Sequence, residues 1–240
     1  MKVCIVNGDD FGASRGINRG ILEAHEHGIL TSASLMVNMP AAEDAVAQAR
    51  HHRRLSVGLH FNLTNEGEPV VDLGDLAACR AEVERQIERF VALMGRLPTH
   101  LDTHHNIHRR LDLQACFLDL AARIGRPLRE HSPVRYYSSF YGQWDGETHL
   151  EQICSDNLMR ILESEVAPGF TEIACHPGYV DPDFHSCYAI EREAEIRSLC
   201  DPKVAERLRA LGIHLVGFGD LPRFLADGTG SASHSGEVRS

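Results

Sequence analysis

The sequence predicts an α/β fold of repeated strand–helix units, best met by a (β/α) barrel of about seven strands, and an incomplete one. Three observations lead there. Short apolar runs alternate with longer amphipathic segments along the chain, which implies parallel strands joined by helical crossovers. About seven such units fit into the 240 residues, which suits a barrel better than an open sheet; a doubly wound sheet is the alternative. Polar, chemistry-bearing motifs then follow the apolar runs, where α/β folds place their active sites.

Taken in order, Lys2–Asn7 (KVCIVN) reads as a buried strand and Ile17–His27 as a helix stopped by Gly28. Thr31–Val37 is a second strand, Ala41–Arg53 a helix, and Ser56–Leu63 a third strand. Leu76–Leu93 is helical, ended by Gly95 and Pro98. Thr99–Thr103 is a fourth strand, Leu111–Ile124 a helix, and Pro127–Glu130 a short fifth strand. Val134–Glu147 reads as an aromatic loop. Leu150–Glu165 is helical, Thr171–Cys175 a strand, Ile190–Leu211 helical in one or two pieces, and Ile213–Phe218 the last strand. Residues 1–224 are expected to form a single catalytic domain. Residues 225–240, polar and small toward the end, are expected to be a disordered tail.

Composition narrows the function. Hydrophobic residues make up 43% and charged residues 24%, as in ordinary globular proteins. The net charge is −10, and no lysine/arginine cluster offsets it, which argues against nucleic acid and anionic membranes as partners. Seven cysteines, an odd number without a C-x-x-C pair, fit reduced thiols in a cytoplasmic protein better than a disulfide framework. No apolar run approaches the ~20 residues of a membrane span, so stable membrane insertion is not expected. Fifteen histidines are many for this length. Histidine is the commonest metal ligand and acid/base group. His25, His27, His51 and His52 lie in polar, helical surroundings, so the question is which others share a site.

Four motifs answer it. Asn7-Gly-Asp9-Asp10-Phe-Gly12 sets two adjacent carboxylates after a buried strand. Neighbouring carboxylates repel unless a cation sits between them; the plain alternative is a polar loop capping a helix. His60 lies near the end of the apolar run Gly58-Leu-His-Phe-Asn-Leu-Thr64. Asp102-Thr-His104-His105-Asn-Ile-His108 packs three histidines and an aspartate into seven residues. In an extended strand, Asp102, His104 and Asn106 would share one side, with His105 on the other. Cys175-His176-Pro-Gly-Tyr179 puts a sharp turn behind His176. Cys175 and His176 point opposite ways in a strand, so Cys175 reads as core rather than nucleophile. One aspartate and two histidines with an open position make a hydrolytic metal site.

These residues resemble the YdjC-like family. The resemblance is carried by N-x-D-D-F-G, the helix Gly16–Ala24 (GINRGILEA), TSASLMVN at 31–38, GLHFNLT, the D-x-H-x-x-x-H segment and CHPGY. The family includes chitooligosaccharide deacetylases and hopanoid-biosynthesis-associated members. The resemblance implies a deformed (β/α) barrel related to polysaccharide deacetylases, one divalent metal ion, and removal of acetyl groups from N-acetylated sugars, whether oligosaccharide or glycolipid. It implies Asp10, His60 and His104 as metal ligands, Asp9 as catalytic base and His176 as the group that assists the leaving group. Arg129 is implied as a substrate or charge partner. Asn106 departs from the histidine often found there and is a poor ligand for zinc.

Two histidines favour zinc, while a carboxylate- and water-rich site admits magnesium. Tyr136 and Trp144, in a loop with five aromatics in nine residues, are expected to bind the sugar by stacking, although packing beneath the loop explains them nearly as well. The expected partner is the sugar; a homodimer is compatible with the chain. The rival readings are a metal-dependent phosphoesterase or amidohydrolase and a non-catalytic sugar-binding relative. The first needs more basic residues near the motifs. The second has no use for Asp9.

Overall fold

The computed structural model describes residues 1–182 and 184–229. Seven strands form one sheet in the order β4-β3-β2-β1-β8-β5, with β9 also paired to β1. They are β1 (Lys2–Phe11), β2 (Ser32–Leu35), β3 (Ser56–Phe61), β4 (Leu101–Thr103), β5 (Val134–Tyr137), β8 (Gly169–Cys175) and β9 (Ile213–Leu215). Every ladder in the sheet is parallel. β6 (Gln143–Trp144) and β7 (Glu147–Thr148) make a separate antiparallel hairpin. The crossovers are α1 (Arg15–His27), α2 (Ala42–Ala49), α3 (Leu76–Met94), α4 (Leu111–Ile124), α5 (Ser155–Ser164), α6 (Ile190–Leu199) and α7 (Pro202–Ala210), and α8 (Leu221–Thr229) follows β9. This is the parallel, curled partial barrel expected from the alternating pattern.

Burial follows strand alternation. On β1, Cys4 and Val6 join the large cluster under the helices, with Ile17, Ile21 and Leu30. Val3 and Ile5 face the other way and pack with Val134, Val216, Phe218 and Leu221. Asn7 and Asp9 continue that second face, so the barrel interior is apolar at its base and polar at its mouth. Helix ends follow local chemistry. Ser14 caps α1 by accepting from Ile17 N at 3.1 Å. Asp75 caps α3, and Gly95 ends it at φ 68°.

Gly58 is required by a close approach. A Cβ there would lie 2.4 Å from the His100 ring, which is itself stacked on Phe218 at 3.9 Å between centroids. Gly58→Ala should therefore destabilise by about 1–3 kcal/mol through overpacking. A lowered urea midpoint with an unchanged m-value would register it; an unchanged midpoint would mean that the His100 ring can yield.

Several elements differ from the sequence reading. β1 continues through Phe11 instead of stopping at Asn7. The short strand expected at Pro127–Glu130 is reduced to single bridges at Leu128. The aromatic stretch contains β5 and the hairpin. Asp145 (φ 53°) and Gly146 (φ 77°) supply the two left-handed residues of its turn, and Asp-Gly is a strong hairpin signal. α8 carries the chain in helix to Thr229, past the start of the tail expected from residue 225; the rest of that tail lies outside the described residues.

Candidate active site

The site lies where β1, β3, β4 and β8 end. β1 pairs with β2 at Gly8↔Ala33 and next at Phe11↔Leu35, with a register shift between. That irregularity spans Asp9 and Asp10. A bulge breaks alternation, so two consecutive carboxylates are both turned into the interior, at 4% and 3% exposure. Asp10 has φ 67°, a left-handed conformation that costs a non-glycine residue about 1 kcal/mol or more and tends to persist at functional sites.

Asp10, His60 and His104 converge. Asp10 Oδ1 lies 3.4 Å from His60 Nε2 and 3.4 Å from His104 Nδ1, and the three ligand atoms lie within 4.8 Å of one another. All three side chains are buried. Asp10 Oδ1 accepts no hydrogen bond, although it is fully buried. A buried acceptor facing two imidazole nitrogens suits a cation, and an N₂O donor set suits a transition-type divalent ion. The other oxygen, Asp10 Oδ2, accepts from Arg192 Nη2 at 2.7 Å. Against the cost of burial, Arg192 holds the Asp10 carboxyl well below the usual carboxylate range.

His60 is oriented from behind. Its register partner on β4 is Asp102, and Nδ1 bonds Asp102 Oδ1 at 2.7 Å. Burial opposes a charge on His60, yet Asp102 and Asp10 push its pKa up to about 10. The carboxylates on both sides of the ring favour positive charge at this point. An imidazole backed by a carboxylate is the usual arrangement behind a metal-binding histidine.

Asp9 belongs to a different network. Arg129 Nη1 donates to Asp9 Oδ2 and Nη2 to Oδ1, each at 2.8 Å. Asn7 Nδ2 donates to Oδ1 at 2.7 Å and Ser34 Oγ at 3.1 Å. Burial works to raise its pKa, but Arg129 wins and keeps Asp9 ionised far below the ordinary range. Arg129 also donates to Glu172 Oε1 at 2.6 Å and lies 3.1 Å from Asp102 Oδ2. One guanidinium thus serves three buried carboxylates. Burial pushes Glu172 up to about 7, so it is the member of the cluster that takes a proton first.

His176, the residue after β8, faces Asp9, with Nε2 3.9 Å from Asp9 Oδ2. Tyr141 and Tyr188 pack against its ring at 5.6 and 5.5 Å between centroids. Burial pushes its pKa down to about 4, so the resting imidazole is neutral. Its backbone is fixed by α6: Glu195 accepts from His176 N, and Arg192 Nη1 donates to His176 O at 3.3 Å. Tyr188 Oη donates to the other oxygen of Glu195.

Asp9, Asp10, His60, His104 and His176 open together onto one cavity of about 290 Å³, whose wall includes Tyr136, Tyr141 and Arg109. A larger groove of about 750 Å³ beside α1 gathers Arg15, Arg19, Glu23 and Asp44 instead, a solvated charged face. Two expected substrate contacts lie elsewhere. Arg129, 3% exposed, is spent on carboxylates behind the wall and stacks over the Tyr136 ring at 4.6 Å. Trp144 is on the hairpin, 43% exposed and stacked on His149 at 3.6 Å, away from the cavity lining. Phe140 is fully buried. Asn106 does line the cavity, but by a turn rather than by strand alternation: β4 ends at Thr103, and His105 and Asn106 are left-handed at φ 54° and 51°. Cys175 is core, as expected, with its thiol donating to Asn7 O at 3.2 Å. All seven cysteines are free.

Sequence reasoning gave Tyr188, Arg192 and Glu195 no role in the site. A signal was present: α6 buries Glu191, Arg192 and Glu195, and charged residues at positions that should be apolar mark a buried polar network.

Residues 3–210 match the family model described as YdjC-like protein. A carbohydrate deacetylase of Geobacillus stearothermophilus is 37% identical, covering 90% of this chain and 96% of that protein. A chitooligosaccharide deacetylase of Serratia marcescens is 32% identical, covering 92% and 99%. The family 4 carbohydrate esterase from Streptomyces lividans, solved with acetate, superposes with a TM-score of 0.56 at 15% identity, covering 89% of this chain and 91% of that one; it shares the fold. With its motifs, its site geometry and a match over most of its length, the chain belongs to the YdjC-like family.

Proposed function

We propose that the chain is a metal-dependent carbohydrate N-deacetylase, with residues 1–224 as its catalytic domain. The observation that carries this reading is the pairing of two different aspartates in one cavity. Asp10 faces two histidines, and Asp9 faces Arg129 and His176. The relatives named carbohydrate deacetylase and chitooligosaccharide deacetylase support it. Asp10, His60 and His104 would hold one divalent ion, zinc or magnesium. When bound, such an ion polarises a carbonyl and acidifies water.

The chain's own residues handle the protons. Asp9 Oδ1 already accepts three hydrogen bonds, so Oδ2 is the atom with capacity to accept from water. Its low proton affinity means that it does not keep the proton. His176 Nε2, opposite Oδ2, is neutral at rest and can receive it and pass it to the leaving nitrogen. Tyr136 and Tyr141 offer ring faces to a sugar. Arg129 acts by fixing Asp9. Trp144 on its hairpin is assigned no contact in the cavity and is left to an extended substrate.

The phosphoesterase reading loses support here. Among the described residues lining the cavity, Arg109 is committed to Glu130 at 2.7 Å and Arg192 to Asp10, which leaves little for a phosphate. Among the described residues no helix is long and apolar enough to cross a membrane; the proposed cytoplasmic location rests on the seven free cysteines, which suit a reducing compartment. The test is acetate release from a panel of N-acetylated glycans and glycolipids, with zinc, with magnesium and with a chelator. Acetate release that a chelator abolishes is expected. Release from none of them, with phosphate released from sugar phosphates instead, would reverse the assignment.

A further inference from the structure

Each histidine beside Asp10 has a second ring nitrogen to satisfy. A neutral imidazole has one lone pair and one N–H. Once the lone pair faces a cation, the buried N–H needs an acceptor. His60 has one: Nε2 faces Asp10, and Nδ1 bonds Asp102 at 2.7 Å. His104 is turned the other way. Its Nδ1 faces Asp10 at 3.4 Å, and its Nε2 is buried without a hydrogen bond. The carboxylate beside that nitrogen is Glu66, with Oε1 at 3.5 Å. Glu66 sits on the connection between β3 and α3 and lines the cavity.

We propose that Glu66 is the acceptor for His104 Nε2–H and thereby fixes the tautomer and orientation of His104 toward the ion. This rests on the metal-dependent reading above. The two histidines then have unlike supports. Asp102 is sealed in the core, with its side chain 0% exposed; the Glu66 side chain is 22% exposed, on the cavity side. Ion affinity is therefore adjustable from the face that a substrate approaches, through a positioning residue on a connecting loop. Glu66, His104 and His105 are also close enough together to hold an ion themselves. With an ion already facing Nδ1, that alternative asks His104 for a second lone pair, which a neutral imidazole does not have. His105 Nδ1 is also engaged by Thr64 Oγ1 at 2.9 Å.

The test is zinc binding by the full chain, measured against a fluorescent chelator, with the visible spectrum of bound cobalt as a second readout. Glu66→Ala should weaken zinc by ~10–100-fold, the usual loss when such a partner is removed, and perturb the cobalt spectrum. Glu66→Gln keeps an acceptor without the charge and should fall between. Metal-free melting should match wild type, because the side chain is on a surface connection. Zinc affinity within about twofold of wild type in Glu66→Ala would overturn the proposal. So would two zinc ions per wild-type chain with one lost in Glu66→Ala, which would make Glu66 a ligand of a second site. Binding of neither zinc, cobalt nor magnesium by wild type would overturn both this and the reading on which it rests.

Discussion

His60→Ala and His104→Ala should each lose the bound divalent ion. Each removes one of three ligands, so the loss should exceed the ~10–100-fold expected for an outer partner. The two variants should not behave identically. His60 is the deeper residue, at 2% exposure, and its removal strands Asp102, which also faces Arg129. His104 borders the cavity, so His104→Ala should keep more of the fold's stability. Binding to the folded state raises stability by RT ln(1 + [L]/Kd), about 2.7 kcal/mol at a hundredfold excess over Kd. Wild type should therefore melt later when zinc is added, and neither variant should. Metal content after dialysis, read beside that shift, checks both. Full occupancy in both variants would remove Asp10, His60 and His104 as the ligand set.

The order of strands and helices was legible because periodicity is a backbone-scale signal. Strands β2, β3 and β8 and helices α1, α3 and α4 read directly from apolar runs and their flanking turn residues. So did the gathering of Asp9, Asp10, His60, His104 and His176, since parallel strands send their C-terminal ends to one side. What alternation alone gets wrong is any site built by breaking it. It assigns Asp9 and Asp10 to opposite faces, and a bulge brings them together. It places Asn106 beside His104 on a continuing strand, whereas the strand has ended and two left-handed residues carry Asn106 there. The partners of the site were harder still. Glu172, Glu195 and Tyr188 reach it from β8, α6 and the segment before α6, and only a three-dimensional register such as Tyr136↔Glu172 or His60↔Asp102 discloses such neighbours. Trp144 shows a related limit of composition. Aromatic composition suggested a sugar platform, while the Asp145-Gly146 turn made a hairpin that carries the ring outward.

Asp9 and Asp10, neighbours in sequence, should fail in different ways when neutralised. Asp10→Asn removes the charge that faces both histidines and leaves Arg192 without its carboxylate. Ion affinity should fall first, and activity should partly return at high metal concentration. Asp9→Asn should keep the ion and lose most of kcat, by ~10²–10⁴ if general-base assistance is of ordinary size. The fold should survive, because Arg129 retains Glu172 and Asp102. Taking the Asp9 charge away also relieves the repulsion it exerts on Glu172, whose pKa stands at about 7. Glu172 should then ionise at lower pH and supply part of the charge that Arg129 has lost. That compensation protects stability but not catalysis, since Glu172 is buried on β8 and is not among the residues lining the cavity. Metal content and rate across metal concentrations, measured on both variants, separate the two roles. Loss of the ion in Asp9→Asn with retention in Asp10→Asn would reverse them. An unchanged rate in both would mean that neither carboxylate takes part in hydrolysis.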